Sequence, residues 1–207
     1  MNIILLGPQG SGKSVQARLL AERFGFHHLA TGDLIRLGIE QKDPDALAIK
    51  QYTDQGKLVP TKTVIAFVKK HLKEHNLFDG IPRTLPQAEA LDTLVHIDLV
   101  IALELDDNTA IKRIGSRKTC PTCQAVYGPT NPPRKKDACD HDGSALAVRK
   151  DDSPDAIRRR LAIYREKTEP LIEYYKPRDI VFTIDASQDI SAIFSEISAL
   201  IEQHSAE

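Results

Sequence analysis

Three groups of residues in this chain have types and spacings that can do chemistry. The first is Gly7-Pro8-Gln9-Gly10-Ser11-Gly12-Lys13-Ser14, a G-x-x-x-x-G-K-S run between the apolar stretch Asn2–Leu6 and a helix-spaced stretch from Val15. The glycines let the loop wrap so that its N–H groups face an anion, and a helix N-terminus adds partial positive charge. Lys13 supplies a full charge for terminal phosphates, and the Ser14 hydroxyl can reach a magnesium ion. The second group is a set of arginines, Arg36, Arg83, Arg113, Arg117, Arg149 and Arg160, near expected element ends or insert borders. Phosphoryl transfer asks a protein to neutralise charge and hold oxygens in line, which bidentate guanidinium groups do well. Arg113 and Arg117, four apart, share one helix face. In the run Arg158-Arg159-Arg160, the stripe Ile157, Leu161, Tyr164, Thr168 leaves Arg159 nearly opposite; spacing alone does not choose between Arg158 and Arg160.

The third group is Cys120-Pro121-Thr122-Cys123 with Cys139-Asp140-His141-Asp142. C-x-x-C is a chelating knuckle, and three thiolates plus a carboxylate or imidazole suit structural zinc. The plain alternative is a metal-free insert. Asp79 ends the apolar pair Leu77-Phe78, where an acid can orient magnesium or its waters; a turn-forming Asp-Gly is the other reading.

Strands alternating with helices must position these groups, which predicts a parallel sheet flanked by helices. Strands are expected at 2–6, 26–29, 77–78, 97–105 and 179–185, the fourth near-continuously apolar and therefore central. Helices are expected at 15–24, 34–41, 45–55 (stopped by Gly56), 61–75, 86–95, 107–117, 154–175 and 190–203. The pair of short helices before residue 60 reads as an insertion. Residues 118–152 read as a second one, too poor in apolar side chains to fold on a core of its own. The remaining stretches, 1–29, 60–117 and 153–207, form the core domain.

The chain has 207 residues, 28% of them charged, with a formal net charge of −1. That balance gives no electrostatic case for general nucleic-acid or membrane binding, and no apolar run approaches membrane-span length. The chain opens on a strand and a nucleotide loop, so no signal peptide is expected. An odd count of three cysteines argues against a disulfide framework and for a reducing cytoplasm.

Taken together, five stretches resemble the adenylate kinase family: Gly7–Gln16, Thr31–Arg36, Gly56–Pro60, Asp79–Gln87, and Arg149–Arg160 with the cysteine insert before it. The resemblance implies a P-loop α/β fold with a five-stranded parallel core and two mobile insertions. One, 30–59, would close over the nucleoside monophosphate; the other, 118–152, is a zinc-type lid closing over ATP. It implies reversible, magnesium-dependent phosphoryl transfer from ATP to AMP giving two ADP, by a monomer. By that resemblance Gly10, Ser11, Gly12, Lys13, Ser14, Val15, Arg113, Arg117 and the loop at Ala186 hold ATP. Thr31, Arg36, Val59, Gly80, Arg83, Gln87, Arg149 and Arg160 hold AMP. Lys13, Arg83, Arg113, Arg149 and Arg160 would stabilise the transferring group, with Ser14 and Asp79 linked to magnesium. The family motif selects Arg160 from its run, and long-lid members place Asp at the position of Asp142, with His141 the competing fourth ligand. Thr31 and Gln87 look adenine-type. The chain departs from the family pattern at Ser14-Val15, where Gly-Thr is usual, at Ile81 for Phe, and at Ala186 for Gly.

Three rival functions fit parts of the pattern. They are a kinase for another monophosphate such as UMP or CMP, a nucleic-acid-binding ATPase reading through Arg134-Lys135-Lys136, and a nucleotide switch. The charge balance weighs against the second, and the arginine set favours turnover over switching.

Overall fold

The computed structural model describes residues 1–53, 59–148 and 152–205. At its centre lies β1 (Asn2–Leu6), whose Ile3, Ile4, Leu5 and Leu6 are all buried, as a strand covered on both faces requires. Beside it stand β3 (Asn76–Asp79) and β4 (Leu99–Glu104), with β2 (His27–Ala30) and β7 (Val181–Asp185) at the edges. The five strands run parallel in the order β2-β3-β1-β4-β7. β1 therefore sits where the chain passes first to one side and then to the other. In open parallel sheets the crevice beyond the strand ends at such a point is where ligands bind.

Two apolar layers cover the sheet. One includes Ile3, Leu5, Leu20, Leu77, Ile101, Ile157 and Ile197; the other includes Ile4, Leu6, Leu29, Phe78, Val100 and Tyr175. Against the strand residues in these layers stand side chains of helices α1 (Lys13–Phe24), α4 (Thr61–Lys69), α5 (Leu85–Asp92), α6 (Asp107–Gly115), α7 (Pro154–Ile163), α8 (Leu171–Tyr175) and α9 (Ile190–Ser205).

The two insertions carry small clusters of their own. α2 (Thr31–Glu40) and α3 (Pro44–Thr53) pack Ile35, Ala46 and Ile49 against Phe67 of α4. In the second, β5 (Lys118–Thr119) and β6 (Val126–Tyr127) form a small antiparallel pair over Cys120, Ala125, Tyr127 and Cys139. Two of its four buried residues are cysteines, in line with a segment that cannot order itself on apolar burial alone.

Several boundaries differ from the sequence expectation. The helix from residue 61 ends at Lys69 rather than 75, because buried Asn76 ties down the following turn. Its side chain accepts from the Lys73 N–H at 2.8 Å and donates to the Lys73 carbonyl and Asn2 Oδ1, each at 2.7 Å. α2 starts at Thr31, three residues early. The expected single helix 154–175 is broken: after α7 comes a π turn, Tyr164–Thr168, closed by Glu169 N–H to Tyr164 O at 2.9 Å. Pro170 follows, with no N–H to continue the ladder. The stop expected at Gly56 lies outside the described residues.

Candidate active site

The loop after β1 turns into α1 through Gly10 and Gly12, with φ of 86° and 90°. At Gly10 a Cβ would stand 3.0 Å from the Ala110 carbonyl of α6, so glycine serves both the left-handed backbone and the close approach. Ser11 is buried beneath the loop. The Lys13 ammonium curls back to donate to Gly7 O at 2.6 Å and Pro8 O at 2.7 Å. Burial, aided by the nearby Arg83 and Arg117 cations and opposed by Asp79, lowers its pKa to about 8. The Val15 N–H closes the first helical turn on Gly12 O at 2.9 Å.

Asp79, the last residue of β3, is buried and accepts from the Ser14 hydroxyl at 2.5 Å. His28 of β2 places Nε2 3.5 Å from the same carboxylate. Burial alone would push the Asp79 carboxyl up; His28, Lys13 and the Ser14 hydroxyl outweigh it and hold it below its ordinary value. A hydroxyl and an ionised carboxylate side by side are hard oxygen donors of the kind magnesium takes.

The opposite wall is built by the turn after β3. Arg83 donates from Nε to Gly80 O at 2.8 Å, and its backbone N–H reaches Gln87 Oε1 at 2.8 Å. Gln87 Nε2 lies 3.4 Å from Val59 O. So the Gln87 amide holds two chain segments together, leaving its second hydrogen and a lone pair for a base edge. Thr31, at the start of α2, is buried, and its Oγ1 has no hydrogen-bond partner among the described residues. A buried hydroxyl of that kind fits a ligand contact. Arg36, one turn on, pairs with Asp33.

Of the remaining arginines, Arg113 lies on α6 and Arg160 on α7, whereas α6 ends at Gly115 and leaves Arg117, expected on the same helix face as Arg113, in the link to β5. Arg113 of α6 donates to Ala186 O at 2.7 Å, and more loosely to Gly10 O and Ser187 O at 3.4 and 3.3 Å. It thereby joins the P-loop to the turn after β7. Arg117 grips Asp152 with Nε at 3.0 Å and Nη2 at 2.7 and 2.8 Å, while Arg160 of α7 reaches the same carboxylate at 2.8 Å. Arg83 is within electrostatic reach of Asp79, Arg160 and Arg36, and Lys13 of Arg83 and Arg117, so these charges converge on one cleft. Arg149 lies outside the described residues.

The family resemblance marks Asp151 and Asp152 as an acid pair joining the second insertion to the core, though not Asp152 as the bridge between Arg117 and Arg160; two other contributors, His28 and Thr168, carry no sequence signal. His28 alternates along a short strand with no motif around it. Thr168, in the π turn, donates its hydroxyl to Arg83 O at 2.9 Å and so helps fix that arginine's backbone.

In the second insertion, Cys120, Cys123, Cys139 and Asp142 bring one ligand atom each within 4.8 Å of one another, a set that could hold a metal ion. Cys120 Sγ is 3.3 Å from Asp142 Oδ2, and Cys123 Sγ 3.5 Å from Cys139 Sγ. Tetrahedral ligands at zinc–sulfur distance are separated by about 3.8 Å, so the spacing fits. Desolvation and the neighbouring sulfurs push the Cys123 thiol up to about 12, a cost that a bound cation would offset. The Ser144 N–H and hydroxyl keep Asp142 well below the usual carboxylate range. His141 gives its backbone N–H to Cys139 Sγ at 3.4 Å, and its ring is not among the clustered ligands. Among the described residues, no helix is long and apolar enough to cross a membrane.

Comparison with known proteins places this cleft in context. Residues 5–180 match the family model described as Adenylate kinase. The chain is 40% identical to the adenylate kinase of Methanosarcina barkeri, over 98% of this chain and 99% of that one. It is 38% identical to that of Archaeoglobus fulgidus, with the same shares, and 39% identical to that of Clostridium kluyveri over 97% and 98%. With a match spanning most of the chain and relatives of this identity along nearly its whole length, the chain belongs to the adenylate kinase family.

Proposed function

We propose that this protein catalyses reversible phosphoryl transfer from ATP to AMP, giving two ADP, with magnesium. The observation that carries this reading is one cleft with two unlike ends. A P-loop with Lys13, Ser14 and Asp79 stands at one end, and Thr31, Val59 and Gln87 stand at the other, with arginines from four chain segments between. An ATPase or switch needs the first end alone; an acceptor pocket is needed only if a second nucleotide receives the phosphoryl group.

In this reading Gly10, Ser11, Gly12, Lys13, Ser14 and Val15 cradle the ATP phosphates, with Arg113, Arg117 and the Ala186 turn beside the rest of the nucleotide. Thr31, Arg36, Val59, Gly80, Arg83 and Gln87 hold AMP, and Arg149 and Arg160 join them across the transferred group. An AMP phosphate oxygen attacks the γ-phosphorus while the bond to the ADP oxygen breaks. No proton has to move, so the chain needs no general base. Lys13 and the arginines neutralise the equatorial oxygens and hold the line of attack. Ser14 and Asp79 would hold the magnesium or its waters, and the ion supplies charge neutralisation at the β- and γ-phosphates.

Residues 30–59 and 118–152 are the inserts that close over AMP and ATP, excluding water from the transfer. Cys120, Cys123, Cys139 and Asp142 would hold structural zinc, since soft thiolates select it over magnesium. Zinc there fixes the lid's shape and touches no phosphate. We further infer a monomer in a reducing cytoplasm, where three unpaired thiols persist. Mixing ATP and magnesium with AMP, UMP, CMP or GMP in turn and following diphosphate formation tests the reading. AMP should be used far better than the others, and equal turnover of UMP would overturn the choice of acceptor.

A further inference from the structure

Arg18 lies on α1, outside the P-loop motif, and none of the roles above uses it. Its Nη2 donates to the Gln124 carbonyl at 2.6 Å and stands 3.7 Å from Asp33 Oδ2. Gln124 belongs to the second insertion, directly after Cys123, and Asp33 to α2 in the first. A single guanidinium on a core helix therefore touches both insertions. Each contact is built by its surroundings. Gln124 has φ of 60°, its N–H bonds to Cys120 O at 3.0 Å, and its side chain caps Pro121 O at 2.8 Å. The knuckle is wound tightly enough to fix the direction of the Gln124 carbonyl. Asp33 uses its other oxygen for Arg36, so Arg18, Asp33 and Arg36 form a chain of charges leading to the proposed AMP phosphate contact. The Arg18 and Asp33 side chains are 34% and 23% exposed, so the pair is screened only in part.

We propose that Arg18 is a positioning residue that ties the two insertions to the core together, so that closure of one favours closure of the other. The proposal rests on the reading of 30–59 and 118–152 as closing inserts. Both contacts come from one guanidinium nitrogen, Nη2, whose hydrogens point in fixed directions within the guanidinium plane, a constraint that a freely rotating lysine ammonium lacks. Thermodynamically such a tie appears as coupling: ATP binding should raise AMP affinity, and part of that factor should pass through Arg18.

The test uses the full chain with its lid metal in place. AMP binding is measured by calorimetry, alone and with a saturating non-transferable ATP analogue, and the ratio of the two affinities is the coupling factor. Arg18→Ala should lower that factor about fivefold or more while binding of the analogue alone changes by less than about twofold. In steady state the KM for AMP should rise and kcat should hold or increase, because opening an untied lid is easier. Arg18→Lys should recover part of the coupling. Arg18→Gln, which keeps a donor of similar shape, replaces Arg18→Ala if that variant melts early. Unchanged coupling in a folded variant overturns the role of Arg18 and leaves the closing inserts intact. A wild-type protein that turns over ATP and AMP but shows no coupling overturns this proposal, while inserts that close independently still stand.

Discussion

Asp152 offers the most direct measure of how the arginines are held. Its side chain is 1% exposed and pairs with Arg117 and Arg160, whose side chains are 15% and 22% exposed. All three sit below the exposure at which solvent screening makes an ion pair nearly worthless. Replacing Asp152 with alanine leaves two partly buried cations facing each other without their carboxylate. Removing one partner of a buried pair costs about 3–5 kcal/mol. For a chain of this size each kcal/mol moves the melting temperature by about 2–4 °C, so the expected fall is roughly 6–20 °C. Arg160 lies on α7 and Arg117 two residues after α6, and both helices pack on the core, so the loss should register in global unfolding and not only in the lid. Asp152→Asn keeps the shape and one acceptor and should fall between. Calorimetric melting of the two variants, at low and at high salt, is the assay. A fall that salt leaves largely intact is expected of a buried pair. If Asp152→Ala melts within about 2 °C of wild type, the three groups are a surface network and the reasoning fails.

Four other outcomes are expected. Lys13 has its pKa lowered to about 8 from 10.5, chiefly by burial, and bound phosphates should raise it again, so ATP binding near pH 9 should take up a proton and weaken as pH rises through that range. The unfolded chain holds this proton more tightly, so Lys13 makes stability rise with pH between those two values; calorimetry in buffers of different ionisation enthalpy checks the uptake. Lys13→Ala should lose about 100-fold or more in turnover with little change in melting, read by coupled ADP assay and calorimetry. Gln87→Ala should relax base choice and raise the KM for AMP more than it lowers kcat, measured with AMP and UMP in parallel. Metal analysis should find one zinc per chain. Cys120→Ser should lower melting more than turnover, and Asp142→Ala, unlike His141→Ala, should weaken metal retention under a chelator.

Much of the molecule was legible in its sequence because the signals are local. The P-loop is a run of eight residues between a strand and a helix, and the structure sets it between β1 and α1 with Gly10 and Gly12 left-handed. The sheet follows from short apolar runs divided by amphipathic ones, and Asp142 rather than His141 joins the thiols as the family pattern suggests. What escaped was tertiary. Nothing in residues 70–76 marks Asn76 as a buried brace that ends α4 early and starts β3, because its partners are Asn2 and Lys73. The break after Ile163 is followed by Pro170, seven positions past the last α-helical residue, and the π turn's Thr168 bonds to the Arg83 carbonyl, a distant segment. Arg18 reads from the sequence as one more solvated charge on an amphipathic helix; only the folded chain brings Gln124 and Asp33 to it.

The protein partners of the cleft cations divide into two kinds, and the division has a physical consequence. Lys13, Arg83 and Arg113 donate to backbone carbonyls, those of Gly7 and Pro8, of Gly80, and of Ala186. A carbonyl orients a cation without cancelling its charge, so these three keep charge for a phosphate that arrives, tempered for Lys13 and Arg83 by Asp79 nearby. Arg36, Arg117 and Arg160 instead pair with carboxylates, Asp33 and Asp152. For them a phosphate must compete with an existing anion, and binding becomes an exchange of partners rather than a simple gain. Arg36 lies on the first insertion, and Arg117 and Arg160 meet at Asp152, on the border of the second. The fixed cations thus stand on the rigid core, where they attract nucleotide. The exchangeable ones stand where the chain is proposed to move, so a phosphate arriving there takes the place of a carboxylate that already holds the cation.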